Sequence, residues 1–475
     1  MPKLISLVKF RDLSIAKGMN VIMKKNIDTR TTILTEKPLR LMISLSLPAV
    51  IGMVVIGLYN FMDAIFVGRM ISPQAMGAVT VAYPFTLVNS GIATLIGIGS
   101  ASVLSRAIGK RDQGTIDKIM GNLIMSVLLL SIVVTVLGMV FTRQILLLSG
   151  AEGDILEKAV IYLRIIFAGS IFVNFTQAAN MVMRGEGLLK RAMMIMGLGA
   201  ILNIILAPIM IMVTNSISGA AYATVIAQII QAAVTLWYFL NKSKHVRIYT
   251  ISMDKKLMPE VLSVGVSAML MQLMQLIQQT LMYHTAANYG GSEWQIILGA
   301  CLRIQAFAFI PLWGISQGFQ PAVGTNYGAK EYSRVKKITK TFMIGATVFS
   351  MLFYIPVMCF PKAMLSMFIT DVNTVQLGSN SLQLFFSTYI SLSVMILSIT
   401  LFQSLGKGGM AAILTLLRQI IFFIPLVLIV PKIGNLGIHG VFIAPVLTDI
   451  GVLLLSLYLI IGEFSKMKKH ARLAC

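Results

Sequence analysis

Acidic residues are scarce in this chain: 17 Asp and Glu stand against 39 Lys and Arg in 475 residues, and charged residues together make up 12%. A soluble domain carries roughly 25% charged residues, so a water-soluble globular fold is excluded. Cysteine is as sparse. Cys301, Cys359 and Cys475 are odd in number and far apart, which argues against a disulfide framework or a metal site. His245, His284, His439 and His470 are too scattered for a HExxH site, and no GxSxG elbow or phosphate-cradling GxxxxGK[ST] loop occurs. Gly406-Lys407-Gly408 lacks the upstream glycine of the latter. Direct use of ATP is therefore not expected, and neither is a cofactor or an enzymatic site. The first 40 residues are polar and basic, without the apolar core of a signal peptide.

What the chain has in abundance is apolar residues, at 57%, with a mean hydropathy of +0.85. A spanning helix needs roughly 20 consecutive apolar residues. Such runs fall at 41–67, 78–105, 119–141, 159–183, 192–213, 217–240, 258–287, 294–327, 341–360, 381–404, 411–430 and 437–462. Twelve membrane helices are expected. A net charge of +22 could indicate a nucleic-acid partner, but the basic residues occur in short runs between apolar spans rather than in one cluster. Of the 39 Lys and Arg, 31 lie in the head, the tail and alternate loops; 5 lie in the opposite loops, and Arg164, Arg303 and Arg418 lie within spans. The positive-inside rule then places both termini in the cytoplasm, in a cell-membrane protein whose surroundings are lipid.

An internal repeat divides the spans into two sixes. A shift of 219 to 222 residues superposes Gly77-Ala78 on Gly299-Ala300, Gly99 on Gly318, Gly109 on Gly328, and Gly185-Glu186-Gly187 on Gly406-Lys407-Gly408. Six helices separate equivalent positions, so both halves insert with the same orientation, related by a pseudo-two-fold axis along the membrane normal. The expected organisation is a basic tail (1–38), a six-helix lobe (39–240), a polar linker (241–257), a second six-helix lobe (258–462) and a second basic tail (463–475).

Asp63 lies near the far end of the first span. A charged Asp at mid-membrane costs on the order of 3 kcal/mol, so such residues usually face a protein interior or a water-filled cavity. Pro48, fifteen positions earlier, removes a helix hydrogen bond and offers a bend. Gln272, Gln275, Gln278 and Gln279 share a helical stripe by i, i+3 and i+4 spacing, which suits the polar wall of a cleft or bonding between helices. Arg303 and Arg418 are expected to be buried and paired, or to snorkel. Thirty-two methionines suit an adaptable pocket, although most would face lipid or fill core.

Ser46-Leu47-Pro48 through Asp63-Ala64-Ile65-Phe66-Val67-Gly68-Arg69, the Arg184-Gly185-Glu186-Gly187 turn, Asn203 to Pro208 and Gly219 to Thr224 resemble the multidrug and toxic compound extrusion (MATE) transporters over nearly all of residues 37–462. The resemblance implies two lobes of six helices and export of lipophilic, often cationic drugs or toxins, driven by a proton or sodium gradient. It also implies a cation- or proton-coupling site of Asp63, Asn180, Asn203 and Thr224. Many relatives have an Asp before the proline of helix 5, where this chain has Ala207; that leaves only weak sodium binding at Asp63 and favours the proton. A flippase for lipid-linked precursors would share the architecture but calls for a more cationic cleft. A membrane-embedded enzyme would need a clustered catalytic constellation, and none is legible.

Overall fold

Single polar residues punctuate the apolar runs. The computed structural model describes residues 29–149, 151–243 and 245–473; within them the side chains of residues 58–65, 68, 69, 73, 148, 435 and 470–473 lie outside the description. A short helix α1 (Thr29–Thr35) precedes α2 (Pro38–Met70), α3 (Pro73–Lys110), α4 (Gln113–Leu148), α5 (Gly153–Ala168), α6 (Ser170–Gly185), α7 (Leu189–Thr214) and α8 (Ile217–Trp237). Ser72 caps α3 by accepting from the Ala75 amide, and Asp112 caps α4 by accepting from Thr115. After the linker come α9 (Met258–Gly328), α10 (Tyr332–Cys359), α11 (Pro361–Ser366), α12 (Val372–Phe386), α13 (Tyr389–Ser404), α14 (Gly408–Leu416), α15 (Ile424–Ile429) and α16 (Ile438–Leu473). A π-helical segment, Leu417–Phe423, joins α14 to α15. No strand occurs among the described residues.

The 71 residues of α9 would extend about 107 Å at 1.5 Å per residue, more than three bilayer cores. The helix is broken at Gly291, whose φ of 72° and ψ of −164° are non-helical. Gln295 Nε2 donates to the Tyr283 carbonyl at 3.3 Å, although twelve residues of unbroken helix would hold them about 18 Å apart. The chain therefore doubles back, and α9 is a hairpin of two limbs, 258–290 and 292–328. α5 and α6 meet at 56° and together make one broken span. Counting that pair once, the two limbs separately, α12 with α13, and α14 with α15, the described residues cross a membrane twelve times, as expected. α4 displays why the surroundings are lipid: its best window has a mean hydropathy of 2.8, yet only 28% of it is buried within the protein.

The two halves meet in a reciprocal pattern. A Cβ on Gly109 would lie 2.2 Å from the Thr325 carbonyl oxygen, and one on Gly328 would lie 2.2 Å from the Arg106 carbonyl oxygen. Gly109 and Gly328 are 219 positions apart, as are Arg106 and Thr325, so each contact is the other's image under the sequence repeat. Gly265 on Leu95 and Gly314 on Val50 make a second pair of close glycine contacts, with Leu95 and Gly314 219 positions apart and Val50 and Gly265 215 apart. Contacts of this isologous kind arise about a two-fold axis, and only glycine lets backbones approach so closely. Arg111 and Lys330 repeat a left-handed backbone at the same interval, with φ of 61° and 63°.

One side chain breaks the symmetry. Arg106, whose image is Thr325, is buried and crosses between the halves. Its Nη2 meets Glu260 Oε1 at 2.6 Å, while its Nη1 donates to Ser102 Oγ at 2.6 Å and to the Ser404 carbonyl at 3.2 Å. Gly406, at φ +76°, makes room for the guanidinium, since a Cβ there would lie 2.7 Å from Arg106 Cζ. The halves are thus latched at the end of the molecule that carries α1.

Burial also follows the halves unequally. One continuous apolar cluster holds the second half from Met282 to Met467 and reaches into the first through Leu41, Leu45 and Ala49 of α2 and Leu189 and Met193 of α7. The first half has two. One joins α3, α4 and α6 to the linker through Leu104, Leu123, Val182, Val246 and Leu257; the other gathers Val67, Ala78, Leu146, Leu163 and Ile217 at the opposite end.

At the turn between α6 and α7, Glu186 is 2% exposed, and burial pushes its carboxyl up to about 8, with Arg191 opposing the shift. The folded state therefore favours the neutral acid. The stability this contributes is complete below the ordinary carboxylate value of 4.5 and is lost as pH rises through 8. Thermal unfolding in detergent should show a midpoint that falls between pH 5 and 8, at up to roughly 1.4 kcal/mol per pH unit, and Glu186→Gln should flatten that fall. An unchanged slope in the variant would remove Glu186 as its source.

Candidate functional site

Between the two apolar clusters of the first half lies a cavity of about 480 Å³. Small residues shape it. Gly199 and Ala200 on α7, with Ala220, Ala223 and Ala227 on α8, are buried and let these helices pack closely. Across this contact Asn203 Nδ2 donates to Thr224 Oγ1 at 2.9 Å, and Thr224 Oγ1 in turn donates to the Ala220 carbonyl at 3.1 Å. Both residues line the cavity, together with Tyr83, Tyr162, Gln228 and Gln231. Gln231 lies against the bare backbone of Gly199, where a Cβ would be 2.2 Å from its Oε1.

The cavity's polar character is that of an acceptor. Asn203 Oδ1 and Gln228 Oε1 are buried without a hydrogen-bond partner among the described residues. Among the described residues, every side chain that lines the cavity is neutral in its ordinary state, and none is basic. Two tyrosine rings add faces that attract cations. Such an enclosure can receive a guest that brings its own donors or positive charge, with apolar contacts from Ile56, Leu87, Val173 and Met196.

The sequence-derived site is brought together only in part. Asn203 and Thr224 touch. Asn180 is not among the described residues lining the cavity; its Nδ2 donates to the Ala192 carbonyl at 2.7 Å, tying α6 to α7, while its Oδ1 is buried without a partner among the described residues. Asp63 lies in α2, seven residues beyond the cavity-lining Ile56; its side chain lies outside the described residues. Ala207, one turn from Asn203, is fully buried. Pro48 is inside α2, flanked by Ser46 and Val50, which meet Gly318 and Gly314 of the second half.

The glutamine stripe divides. Gln275, Gln278 and Gln279 line a second cavity, of about 90 Å³, within the second half, whereas Gln272 is not among its lining residues. Arg303 is exposed. Arg418 is paired, and its partner is a residue that the reading of the sequence passed over: Nη2 meets Asp449 Oδ1 at 3.0 Å, and Nη1 donates to Gln278 Oε1 at 3.0 Å. Thr388 donates to the other oxygen of Asp449 at 3.3 Å. Asp449 stands in the last apolar run, so the test that singled out Asp63 would have found it. Arg106 and Glu260 were also passed over, because each sits at a span end, where a charge is unremarkable in sequence.

Comparison with known proteins gives one consistent result. The MatE family model matches residues 48–209 and 267–429. The multidrug export protein MepA of Staphylococcus aureus strain MSSA476 is 25% identical over 403 residues, covering 84% of this chain and 88% of that protein. A similar MepA from Staphylococcus saprophyticus is 25% identical over 406 residues, with the same coverage. Among solved structures, a MATE protein in a bent conformation superposes with a TM-score of 0.88 at 25% identity, covering 93% of this chain and 98% of that one. A MATE protein in a straight conformation gives 0.87 at 25% identity, covering 94% and 99%.

Proposed function

The chain belongs to the MatE family of membrane transporters, and from that premise we propose that it exports lipophilic, often cationic drugs or toxins in exchange for protons by alternating access. The observation that carries this reading is the first-half cavity, which presents buried acceptor oxygens and tyrosine rings and, among the described residues that line it, no basic side chain. A cation entering it exchanges hydration for carbonyl oxygens and ring faces, while its apolar body meets Ile56, Leu87 and Met196. The MepA relatives, named as multidrug export proteins, support the direction of transport.

Asp63 is the coupling residue in this proposal, with Asn203 and Thr224 as polar neighbours on the cavity wall and Asn180 holding the adjoining helix. Protonated Asp63 would favour release; ionised Asp63 would favour drug binding, by linkage. Pro48 offers α2 a point at which to bend during the cycle, at the level where that helix meets the second half. The lobes are 39–240 and 258–462, the linker is 241–257, and the basic tails and latched end face the cytoplasm. Sodium is the weaker driver, because Ala207 withholds a second carboxylate.

Drug accumulation in cells lacking their own pumps tests the reading. Cells expressing the chain should hold several-fold less of a lipophilic fluorescent cation than controls, and a protonophore should erase the difference. Equal accumulation at matched surface expression would contradict it.

A further inference from the structure

We propose that the 90 Å³ cavity in the second half is a separate binding site for neutral lipophilic molecules bearing a carbonyl oxygen, held by Arg418 and Gln419. This rests on the cavity's own chemistry and is independent of the efflux reading. Its polarity is opposite to that of the first-half cavity. There the unpartnered buried atoms are the amide oxygens of Asn203 and Gln228 and the Thr176 hydroxyl oxygen, all able to accept; here Arg418 Nε and Gln419 Nε2 can only donate, both buried and without an acceptor among the described residues. Gln419 is 2% exposed, and both residues line the cavity.

The backbone explains why two successive donors face one space. Arg418 and Gln419 sit in the π-helical segment Leu417–Phe423, whose wider turn brings neighbouring side chains closer in azimuth than an α-helix does. Such segments recur at functional sites. A buried donor left without an acceptor costs about 1 to 3 kcal/mol, so the arrangement favours a guest that supplies an oxygen.

Charge sets the class of that guest. Arg418 is already neutralised by Asp449 at 3.0 Å, so an anion entering beside it would meet the Asp449 carboxylate without gaining a free cation. A neutral carbonyl accepts from Nε and from the Gln419 amide while leaving that pair intact. Met271, Met274, Phe309, Met395 and Ile396 supply an apolar, partly thioether wall. At about 90 Å³, the space is smaller than a cavity of roughly 150 Å³ that admits benzene. It therefore seats the carbonyl end of a molecule whose body lies along the methionines.

The probe is 4-fluoroacetophenone, followed by fluorine NMR with the full-length protein in lipid nanodiscs. Saturable binding is expected, weakened about five- to tenfold by Gln419→Leu, which removes one donor. Met274→Trp, which adds bulk to the cavity wall without removing a polar group, should weaken it as well and serves if the first variant does not fold. Gln228→Leu in the first-half cavity should leave binding unchanged. 4-Fluoroethylbenzene, which lacks the oxygen, and 4-fluorobenzoate, which carries a charge, should both bind more weakly than the ketone. The proposal is overturned if no saturable binding occurs, if the folded second-half variants bind as wild type does, if Gln228→Leu abolishes binding, or if either analogue binds as tightly as the ketone.

Discussion

Asp63→Asn is expected to abolish concentrative export while leaving membrane insertion intact. The amide keeps the size and hydrogen-bonding shape of the acid and loses the proton that the carboxyl would exchange. An antiporter with one coupling carboxyl has no second route for its driving ion, so the loss should be complete within the sensitivity of the assay. The drug should still equilibrate down its gradient, because the 480 Å³ cavity is lined by Asn203, Thr224, Gln228 and the tyrosines and needs no charge at position 63 to admit a cation. Transport by wild type and variant, normalised to the amount of protein in the membrane, measures this. Wild-type concentrative export by Asp63→Asn would place coupling elsewhere, with the buried Asp449 as the next carboxyl to test.

The second large effect is expected at the latch. Arg106 ties Ser102 of the first half to Glu260 and the Ser404 carbonyl of the second. Hydrogen bonds to charged groups contribute roughly 1.5 to 3 kcal/mol each to a folded arrangement. Losing about 2 kcal/mol from the latched state alone would change its ratio to the open state about thirtyfold. Arg106→Ala should therefore open the end that carries α1. Ser105, fully buried against Gly324 in the latched state, reports the opening. As a cysteine, in a chain whose own cysteines are replaced, it should react with an impermeant maleimide at least tenfold faster in the Arg106→Ala background. Export should fall several-fold, since closure at this end is one half of the cycle. Arg106→Lys should be intermediate, keeping a charge for Glu260 without the second donor arm. Equal labelling rates in the two backgrounds would mean that the glycine contacts alone hold the end shut.

Twelve crossings and the doubling of the fold were legible in the sequence because both rest on long-range regularities: apolar run length, basic loops in alternation, and glycines repeated 219 to 222 positions apart. The candidate site was legible in part, for a physical reason. Asn203 and Thr224 are single polar residues in apolar helices, which need a partner wherever they are, and each found the other. Asn180 met the same need with a backbone carbonyl, and nothing in the spacing separates the two solutions. The four glutamines show the limit of a helical stripe: periodicity gave three of them one face, but whether that face met a central cleft or a pocket inside one half depended on packing against the segment carrying Arg418. That segment is π-helical, and its wider turn left no signal that could be read from residue types. Asp449 was recoverable from composition alone, as an acid in an apolar run. Arg106 was not, because its importance lies in being the asymmetric member of a symmetric contact, visible only once the halves are docked.

The proton coupling at the centre of the proposal is tested most directly with purified protein in sodium-free liposomes. An imposed pH gradient should drive uptake or release of a fluorescent lipophilic cation against its own gradient, in the direction opposite to proton flow. Collapse of the pH gradient should stop it, and Ala207→Asp should add a dependence on sodium. Transport that ignores the pH gradient and requires a sodium gradient instead would contradict proton exchange by this chain.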